Sequence, residues 1–150
     1  MDRSSVIKLS PKKRCAMLKN FVKPDSCCYG CYIIEGRPIP QARPRFGNGR
    51  CWDEQKQQRE DYSFQFLFQH KPAKQFTGPL KISITFFMNK SKANKLEHHT
   101  IKPDLSNLIK FVEDSANGII YNDDKQIIEI TATKLYDDKP RTEIIIEELP

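Results

Sequence analysis

The chain has 150 residues, 38% of them hydrophobic, and carries a formal net charge of +6 at pH 7. This size suits one globular domain, with or without a short tail, and no run approaches the roughly 20 apolar residues that a membrane-spanning helix needs. The charge is uneven, because residues 1–50 hold 11 Lys and Arg against 3 Asp and Glu, whereas residues 51–150 hold 14 against 16. A basic front half favours a polyanionic partner, although a solubilising tail would give the same count.

The first 26 residues are polar and basic and include Pro11 and Pro24. We interpret residues 1–26 as a basic N-terminal extension, flexible or weakly helical, and place the folded domain at residues 27–150. The start lacks the long apolar stretch of a secretory signal. We therefore expect a cytoplasmic, nucleoid-associated protein that does not bind membranes.

Five cysteines are present, an odd number without a secretory signal, so we expect no disulfide framework. They are Cys15, Cys27, Cys28, Cys31 and Cys51. Cys28 and Cys31 form a Cys-x-x-Cys pair, but a structural zinc site usually needs two such pairs. Ordinary reduced cysteines at the entry to a strand are the favoured interpretation, and zinc is the alternative.

The first half of the domain predicts a strand, a loop, a helix and a second strand. Residues 29–35 are β-prone, and residues 37–49 are rich in Pro, Arg and Gly, which favours a loop or edge segment. Residues 53–70 predict a helix with Asp53 as its N-cap, but apolar residues on several faces leave its buried side undecided. Residues 80–88 alternate apolar and polar side chains, as half-buried strands do.

The second half predicts a helix and two further strands. Residues 105–116 place apolar side chains on one helical face, and Gly118 follows as the C′ residue. Residues 125–135 and 142–148 read as strands, and the turn at 137–140 predicts that they form a hairpin. The predicted fold is α+β, with a small mixed, mainly antiparallel sheet and two principal helices.

Acidic side chains are concentrated around the 105–116 helix. Asp104 lies at its start, and residues on the face opposite the core are Asn107, Lys110 and Asp114. Asp123 and Asp124 follow a short apolar piece that should bring the chain back beside the start of the helix. Carboxylates from two elements would then converge.

Converging carboxylates are what a hard cation such as Mg²⁺ needs, and a nearby Lys110 would hold a phosphate as a point charge. Each residue also has a purely structural interpretation. Asp104 or Ser106 would serve as an N-cap, and Lys110 with Asp114 would be an exposed i,i+4 ion pair. Asp123 and Asp124 would form only a turn.

A longer motif runs through the same stretch. It reads His-x-x-Lys-Pro-Asp-Leu-x-Asn-Leu-x-Lys at 99–110, Glu-Asp at 113–114, Asn-Gly-Ile-Ile-Tyr at 117–121 and Asp-Asp-x-Gln-Ile at 123–127. Upstream lie Gly-Arg-Pro-Ile-Pro at 36–40 and Arg-Pro-Arg at 43–45. Together these elements resemble the RusA family of Holliday junction resolvases, over roughly residues 33 to 147.

The resemblance implies a homodimeric, Mg²⁺-dependent endonuclease, with Mn²⁺ as a possible substitute, that acts in DNA recombination and repair. Such enzymes bind four-way DNA junctions and cut two strands symmetrically near the crossover. By the match of motifs, Asp104, Lys110 and Asp124 are catalytic, and Asp104, Asp123 and Asp124 bind metal. Asp114 matches a recurrent acid of the helix, which makes it a supporting residue together with Asn107.

Ser106 departs from the family pattern, which has a second aspartate at this position. A neutral hydroxyl is a weaker Mg²⁺ ligand than a carboxylate. The change would weaken metal binding, shift the task to Asp114 or Asp123, or mark an inactive relative. Activity is the favoured interpretation, because Asp104, Lys110 and Asp124 are retained.

Basic residues are the best candidates for contacts with DNA phosphates. They are Arg37, Arg43, Arg45, Arg50 and Lys102. His99 either touches DNA or hydrogen-bonds within its loop. Phe46 and Trp52 either stack on an opened base or pack within the fold, and packing is favoured.

Three functions compete at this stage. The leading hypothesis is a resolvase of four-way junctions. The others are a nuclease for other branched or flapped DNA and, because of Ser106, a junction-binding protein that does not cut.

Overall fold

The computed structural model describes residues 28–70 and 74–150. In chain order the elements are β1 (Cys28–Glu35), β2 (Arg45–Gly47), β3 (Arg50–Trp52), α1 (Lys56–Gln69), β4 (Leu80–Asn89), α2 (Leu105–Ala116), a 3-10 turn (Asp124–Gln126), β5 (Ile127–Asp137) and β6 (Arg141–Glu148). Four strands form one sheet in the order β1-β6-β4-β5, and β2 and β3 form a separate two-stranded sheet. Only β4 and β5 are parallel. The predicted α+β fold with a mixed, mainly antiparallel sheet and two helices is confirmed.

The helices pack on one face of the four-stranded sheet. Alternate residues of the strands are buried there because successive side chains of a strand point to opposite faces. The central strand β4 contributes Ile82, Ile84 and Phe86 to this core, which also contains Leu108 and Phe111 of α2. The predicted helix 105–116 is confirmed at both ends.

Helix α2 ends at a glycine, as predicted. Asn117 is the C-cap, and Gly118 follows with φ of +76°, a left-handed conformation that glycine adopts without a steric penalty. The next residues turn back at once, since Gly118 N–H donates to the carbonyl of Tyr121 at 2.8 Å. This reversal returns the chain to the side of the helix.

The predicted C-terminal hairpin is wrong. Strands β5 and β6 do not pair with each other, because β4 lies between them and pairs with both. The segment that joins β5 and β6 instead crosses the end of β4, where Lys90 N–H donates to the carbonyl of Asp137 at 3.0 Å. A short connection alone does not decide which strands are neighbours.

Arg141 occupies this crossing. Its side chain is 6% exposed, and it donates hydrogen bonds to Asp137 at 2.9 Å and to Glu143 at 2.7 Å. The guanidinium carbon also lies 3.9 Å from the centre of the Phe87 ring. Arg141 therefore joins β5 to β6 across the end of the central strand.

Helix α1 begins at Lys56, so Asp53 is not its N-cap. Asp53 instead accepts a hydrogen bond from Gln55 N–H at 2.9 Å and pairs with Arg59. The helix buries Tyr62 and Phe66. Its other large apolar side chains are exposed: Phe64, Leu67 and Phe68.

Strands β2 and β3 form a tight hairpin where the sequence had predicted a loop or edge segment. Its two turn residues, Asn48 and Gly49, have φ of +49° and +71°. Positive φ at both positions is the mark of a type I′ turn, which suits the twist of a two-residue hairpin. The Asn-Gly pair is the sequence signal for this turn.

The predicted extension 1–26 lies outside the described residues, as do Cys15 and Cys27. In the part of the chain that is described, Cys31 and Cys51 form no disulfide. No helix among the described residues is long and apolar enough to cross a membrane.

Candidate active site

Asp104 stands at the start of α2 without capping it. It occupies the N-cap position with an extended backbone, ψ of 141°, but its side chain makes no capping hydrogen bond. Asp104 is exposed. Its carboxylate therefore remains available to a ligand, and the capping interpretation does not account for its presence.

Lys134 of β5 holds the backbone that leads to Asp104. Its ammonium donates to the carbonyls of Ile101 at 2.9 Å and Pro103 at 2.7 Å. The peptide bond between Lys102 and Pro103 is cis. Because the sheet positions Lys134, the start of α2 is tied to the rigid part of the domain.

Asp104 lines a cleft with a volume of about 830 Å³. Asn107 of α2 lies beside it, Lys102 comes from the preceding loop, and Arg37 comes from the segment after β1. The wall between them includes Gln41 and Gln55. The cleft thus combines one carboxylate with two basic side chains, which suits a metal-bridged phosphate.

A second group of charges lies further along α2, and we call it the Lys110 cluster: Lys110, Asp114 and Asp124. The ammonium of Lys110 lies 2.9 Å from Asp114 Oδ1 and 3.2 Å from Asp124 Oδ2. Asp124 is the first residue of the 3-10 turn, so carboxylates of two separate elements meet at Lys110, further along α2 than the expected helix start. The carboxylate of Asp104 makes no hydrogen bond or ion pair with this cluster, so these residues do not form a preformed metal site. Within residues 28–70 and 74–150, no group of three or more His, Cys, Asp or Glu side chains could hold a metal ion unaided.

The surrounding charges keep Lys110 protonated. The hydrogen bond to Asp114 raises the pKa of Lys110, partial burial opposes this, and the bond to Asp124 adds to it. Burial raises the pKa of the neighbouring Glu113, and despite the opposing charge of Lys110, the carboxylates of Asp124 and Asp114 raise it further. Lys110 is thus a fixed positive charge and not a proton acceptor.

Asp123 has a structural task. Its side chain accepts from Lys125 N–H at 3.0 Å, while the side chain of Gln126 accepts from Asp123 N–H at 3.0 Å. This reciprocal capping box fixes the 3-10 turn. The backbone bond from Lys125 lowers the pKa of Asp123. The turn that Asp123 caps presents Asp124 to Lys110, and metal binding by Asp123 itself stays a prediction.

The predicted DNA-binding residues divide into three places. Arg37 and Lys102 line the cleft, whereas Arg43, Arg45 and Arg50 belong to the β2–β3 hairpin or lead into it. His99 is only 7% exposed, and its N–H donates to the carbonyl of Lys134 at 3.2 Å. The side chain of His99 is therefore largely withdrawn from solvent, and a DNA contact by His99 stays a prediction.

The profile of the family described as Endodeoxyribonuclease RusA matches residues 35–147. This span contains β2 to β5, both helices and every site residue described above. The chain belongs to the RusA endodeoxyribonuclease family. It is therefore an endonuclease of DNA by family, and the Asp104 cleft and the Lys110 cluster both lie within the matched residues.

Two curated proteins are similar to the chain in sequence. It is 32% identical over 135 residues to the uncharacterized protein YqaN of Bacillus subtilis strain 168, which covers 79% of this chain and 95% of that protein. It is 40% identical over 87 residues to the crossover junction endodeoxyribonuclease rusA of Lactococcus phage r1t, which covers 55% of this chain and 66% of the phage protein.

The residues of this RusA protein fit a divalent cation in kind. Asp104 and Asp124 offer exposed or half-exposed carboxylate oxygens, the ligands that Mg²⁺ prefers. Mg²⁺ usually takes one or two carboxylates and completes its shell with water and substrate phosphate, so a preformed cage is not required. Ser106 lies on the first turn of α2, exposed, one turn before Lys110.

Two residues that position the site were missed from the sequence. Lys134 acts on backbone carbonyls some thirty positions away, and Gln55 accepts from Ala42 N–H at 2.7 Å and donates to the carbonyl of Pro40 at 2.8 Å. Nothing in the local sequence marks either contact. In contrast, the Asn48-Gly49 pair does signal the hairpin between strands and could have been recognised.

Proposed function

We propose that this protein is a Mg²⁺-dependent resolvase that cuts four-way DNA junctions by paired symmetric nicks. The observation that carries the proposal is that Asp124 and Asp114 both contact the ammonium of Lys110. Lys110 lies on α2, the helix whose first end places Asp104 in a basic cleft. The name of the phage relative, a crossover junction endodeoxyribonuclease, supports the same substrate.

In this mechanism Asp104 and Asp124 hold the cation, for which Mn²⁺ can substitute. A cation held there would supply Lewis-acid chemistry, by stabilising negative charge at the phosphate and by lowering the pKa of a water bound to it. Lys110 places a positive charge next to the same phosphate, because its ammonium lies on the same helix and beside Asp124. Arg37 and Lys102 bind the backbone that enters the cleft.

A homodimer suits the substrate, because a two-fold protein can place one site on each of two equivalent strands. We propose this assembly and a cytoplasmic, nucleoid-associated location. Both can be tested with the purified and the tagged protein, respectively.

The decisive experiment incubates the purified protein with end-labelled four-way junctions and with linear duplex of the same sequence, with and without Mg²⁺. We expect paired nicks at symmetric positions in the junction only, dependent on Mg²⁺ and retained in Mn²⁺. Preferred cutting of flaps would support a nuclease for other branched DNA. Tight binding without nicks in either metal would contradict the proposal and support a non-cleaving role.

Ser106 gives a second test, in the direction of gained activity. Ser106→Asp should raise the rate of junction cutting by about tenfold at limiting Mg²⁺, because it supplies a further carboxylate near the metal. The same residue lies one turn from Lys110, so the new carboxylate also reaches its ammonium. The measurement is the cutting rate against Mg²⁺ concentration.

Ser106→Asn is the matched control, since it adds similar volume without charge. An unchanged rate and an unchanged Mg²⁺ dependence in Ser106→Asp would show that the other ligands already complete the site. A higher cutting rate in both Ser106→Asp and Ser106→Asn would show that the added charge is not the cause.

A further inference from the structure

The β2–β3 hairpin projects an aromatic side chain into solvent. Phe46 is 80% exposed, and the hairpin pairs only with itself in a sheet separate from the main one. Packing within the fold, the favoured sequence interpretation, is therefore wrong for Phe46. A large apolar side chain so exposed at the middle of a strand contributes nothing to the core.

The two faces of the hairpin differ. Arg45 is opposite Trp52 and Gly47 is opposite Arg50, so these four residues share one face. Phe46 lies on the other face, opposite Cys51. The ribbon thus carries arginines on one side and a single exposed phenyl ring on the other.

The hairpin is closed by a tight turn and packed by Trp52. Trp52 is only 46% exposed because its ring covers Gly47, where a Cβ atom would lie 3.0 Å from the indole Cη2. Glycine suits this close approach, and the type I′ turn at Asn48 and Gly49 closes the other end. The backbone of the hairpin thus holds the phenyl ring of Phe46 away from the core.

Both stems of the hairpin are fixed to the wall of the Asp104 cleft. Gln55, which lines the cleft, bonds the backbone of Pro40 and Ala42 just before β2 and itself follows β3. Arg59 of α1 donates to the side chain of Gln41 at 3.1 Å, on the same wall. Because Phe46 is five residues from Gln41, it lies at most about 17 Å along the chain from the cleft.

The charge around the ring favours nucleic acid over a protein partner. Arg43, Arg45 and Arg50 belong to the hairpin and its approach, and all three are exposed. Arg45 pairs with Glu54 at 3.2 Å, whereas Arg43 and Arg50 make no ion pair with any residue that the structure describes. Arginines on one face of a hairpin and an exposed aromatic ring on the other can bind phosphates and stack on an unpaired base, respectively.

We propose that Phe46 is a wedge that stacks on a base opened at the branch point of the junction. The arginines on the opposite face of the hairpin bind the phosphates of the adjacent arm. This inference rests on the proposed function, and it adds a source of selectivity. The cleft can bind the backbone of any DNA, whereas Phe46 binds more tightly to DNA whose bases are already unpaired, as at a branch point.

The test measures binding in Ca²⁺ in place of Mg²⁺, by fluorescence anisotropy. Three DNAs of equal arm length are compared: a four-way junction, a duplex with a central unpaired loop, and a fully paired duplex. Permanganate reactivity of thymines at the branch point reports whether bases are opened. The variants are Phe46→Ala, Phe46→Trp as the conservative replacement, and Phe68→Ala, which removes a phenyl ring of the same exposure, 79%, from α1.

The wild-type protein should bind the junction and the looped duplex at least about tenfold more tightly than the paired duplex. Phe46→Ala should lose roughly 5- to 100-fold of affinity for those two DNAs and the permanganate reactivity, with less than about twofold change on paired duplex. Phe46→Trp should restore both readouts, and Phe68→Ala should behave as wild type.

Two results would overturn the wedge. One is a wild-type protein without preference for unpaired bases, and the other is a Phe46→Ala protein with wild-type affinity and reactivity on the junction. The cutting assay in Mg²⁺ separates the wedge from the proposed function. Binding that depends on Phe46 without any cutting contradicts only the resolvase, whereas normal cutting by Phe46→Ala with unchanged binding contradicts only the wedge.

Discussion

Asp104→Asn and Asp124→Asn should each reduce junction cutting by about 10³-fold or more while the protein still folds and binds junctions. Asparagine keeps the shape of the side chain but removes the charge that a cation needs. Asp104 is exposed and Asp124 is only half-buried, so neither change should alter the free energy of unfolding by more than about 0.5 kcal/mol. Single-turnover cutting rates and junction affinity in Ca²⁺ give the two measurements.

The two variants should differ in their effect on Lys110. Asp124→Asn also removes one of its two carboxylate partners, so the ammonium of Lys110 is left paired with Asp114. Asp61→Asn on α1, an exposed acid outside the site, is the control and should cut normally. Normal cutting by either site variant would show that the assignment of the metal ligands is wrong.

Arg141→Met should lower the free energy of unfolding by about 2–4 kcal/mol. The methionine keeps much of the volume over Phe87, but Asp137 and Glu143 lose the cation that both of them bind. Glu143 is only 15% exposed, whereas Asp137 is 37% exposed, which softens the loss. Equilibrium unfolding in urea measures the effect.

The pH dependence gives this prediction a second readout. Burial alone would raise the pKa of Asp137, but the hydrogen bond and charge of Arg141 outweigh it and lower the pKa. A lowered pKa contributes stability at neutral pH that is lost as the pH falls through the folded-state value. The difference between wild type and Arg141→Met should therefore be full at pH 7 and shrink below about pH 4.

An exposed ion pair on the same sheet provides the control. Lys81 lies 2.9 Å from Glu129, with 38% and 52% of the two side chains exposed. Lys81→Met should change the free energy of unfolding far less than Arg141→Met does, because water screens an exposed pair. An equal loss of free energy of unfolding in Lys81→Met and Arg141→Met would mean that the ion pairs of Arg141 at the end of β4 stabilise the fold no more than an exposed pair.

The strongly periodic segments were predictable from the sequence. Helix α2 and strand β4 carry long apolar patterns with one period each, and such patterns dominate the choice of local structure. Once the buried face of α2 was fixed, Lys110 and Asp114 had to lie on the other face. The return of Asp124 to that face followed from Gly118 and the short apolar piece after it.

The predictions that were wrong concerned contacts with residues that are not neighbours in the sequence. The pairing of β5 and β6 was mispredicted because a short connection was taken as a hairpin, although the sheet has room for β4 between them. Asp53 is a good N-cap by residue type, but Arg59 and Gln55 engage it three residues before the helix begins. The metal-ligand set rests on the motif and stays a prediction, because the described residues show no preformed group of three or more metal ligands.

The pairing of β1 has a consequence for how the protein is made. Its only neighbour is β6, and Cys28 pairs with Glu148 near the other end of the described chain. Until β6 has been synthesised, β1 therefore has no strand to join, and β4 keeps unpaired the backbone N–H and C=O groups that β6 later binds. Pairings between such distant residues also form slowly. The four-stranded sheet can therefore close only after β6 has left the ribosome.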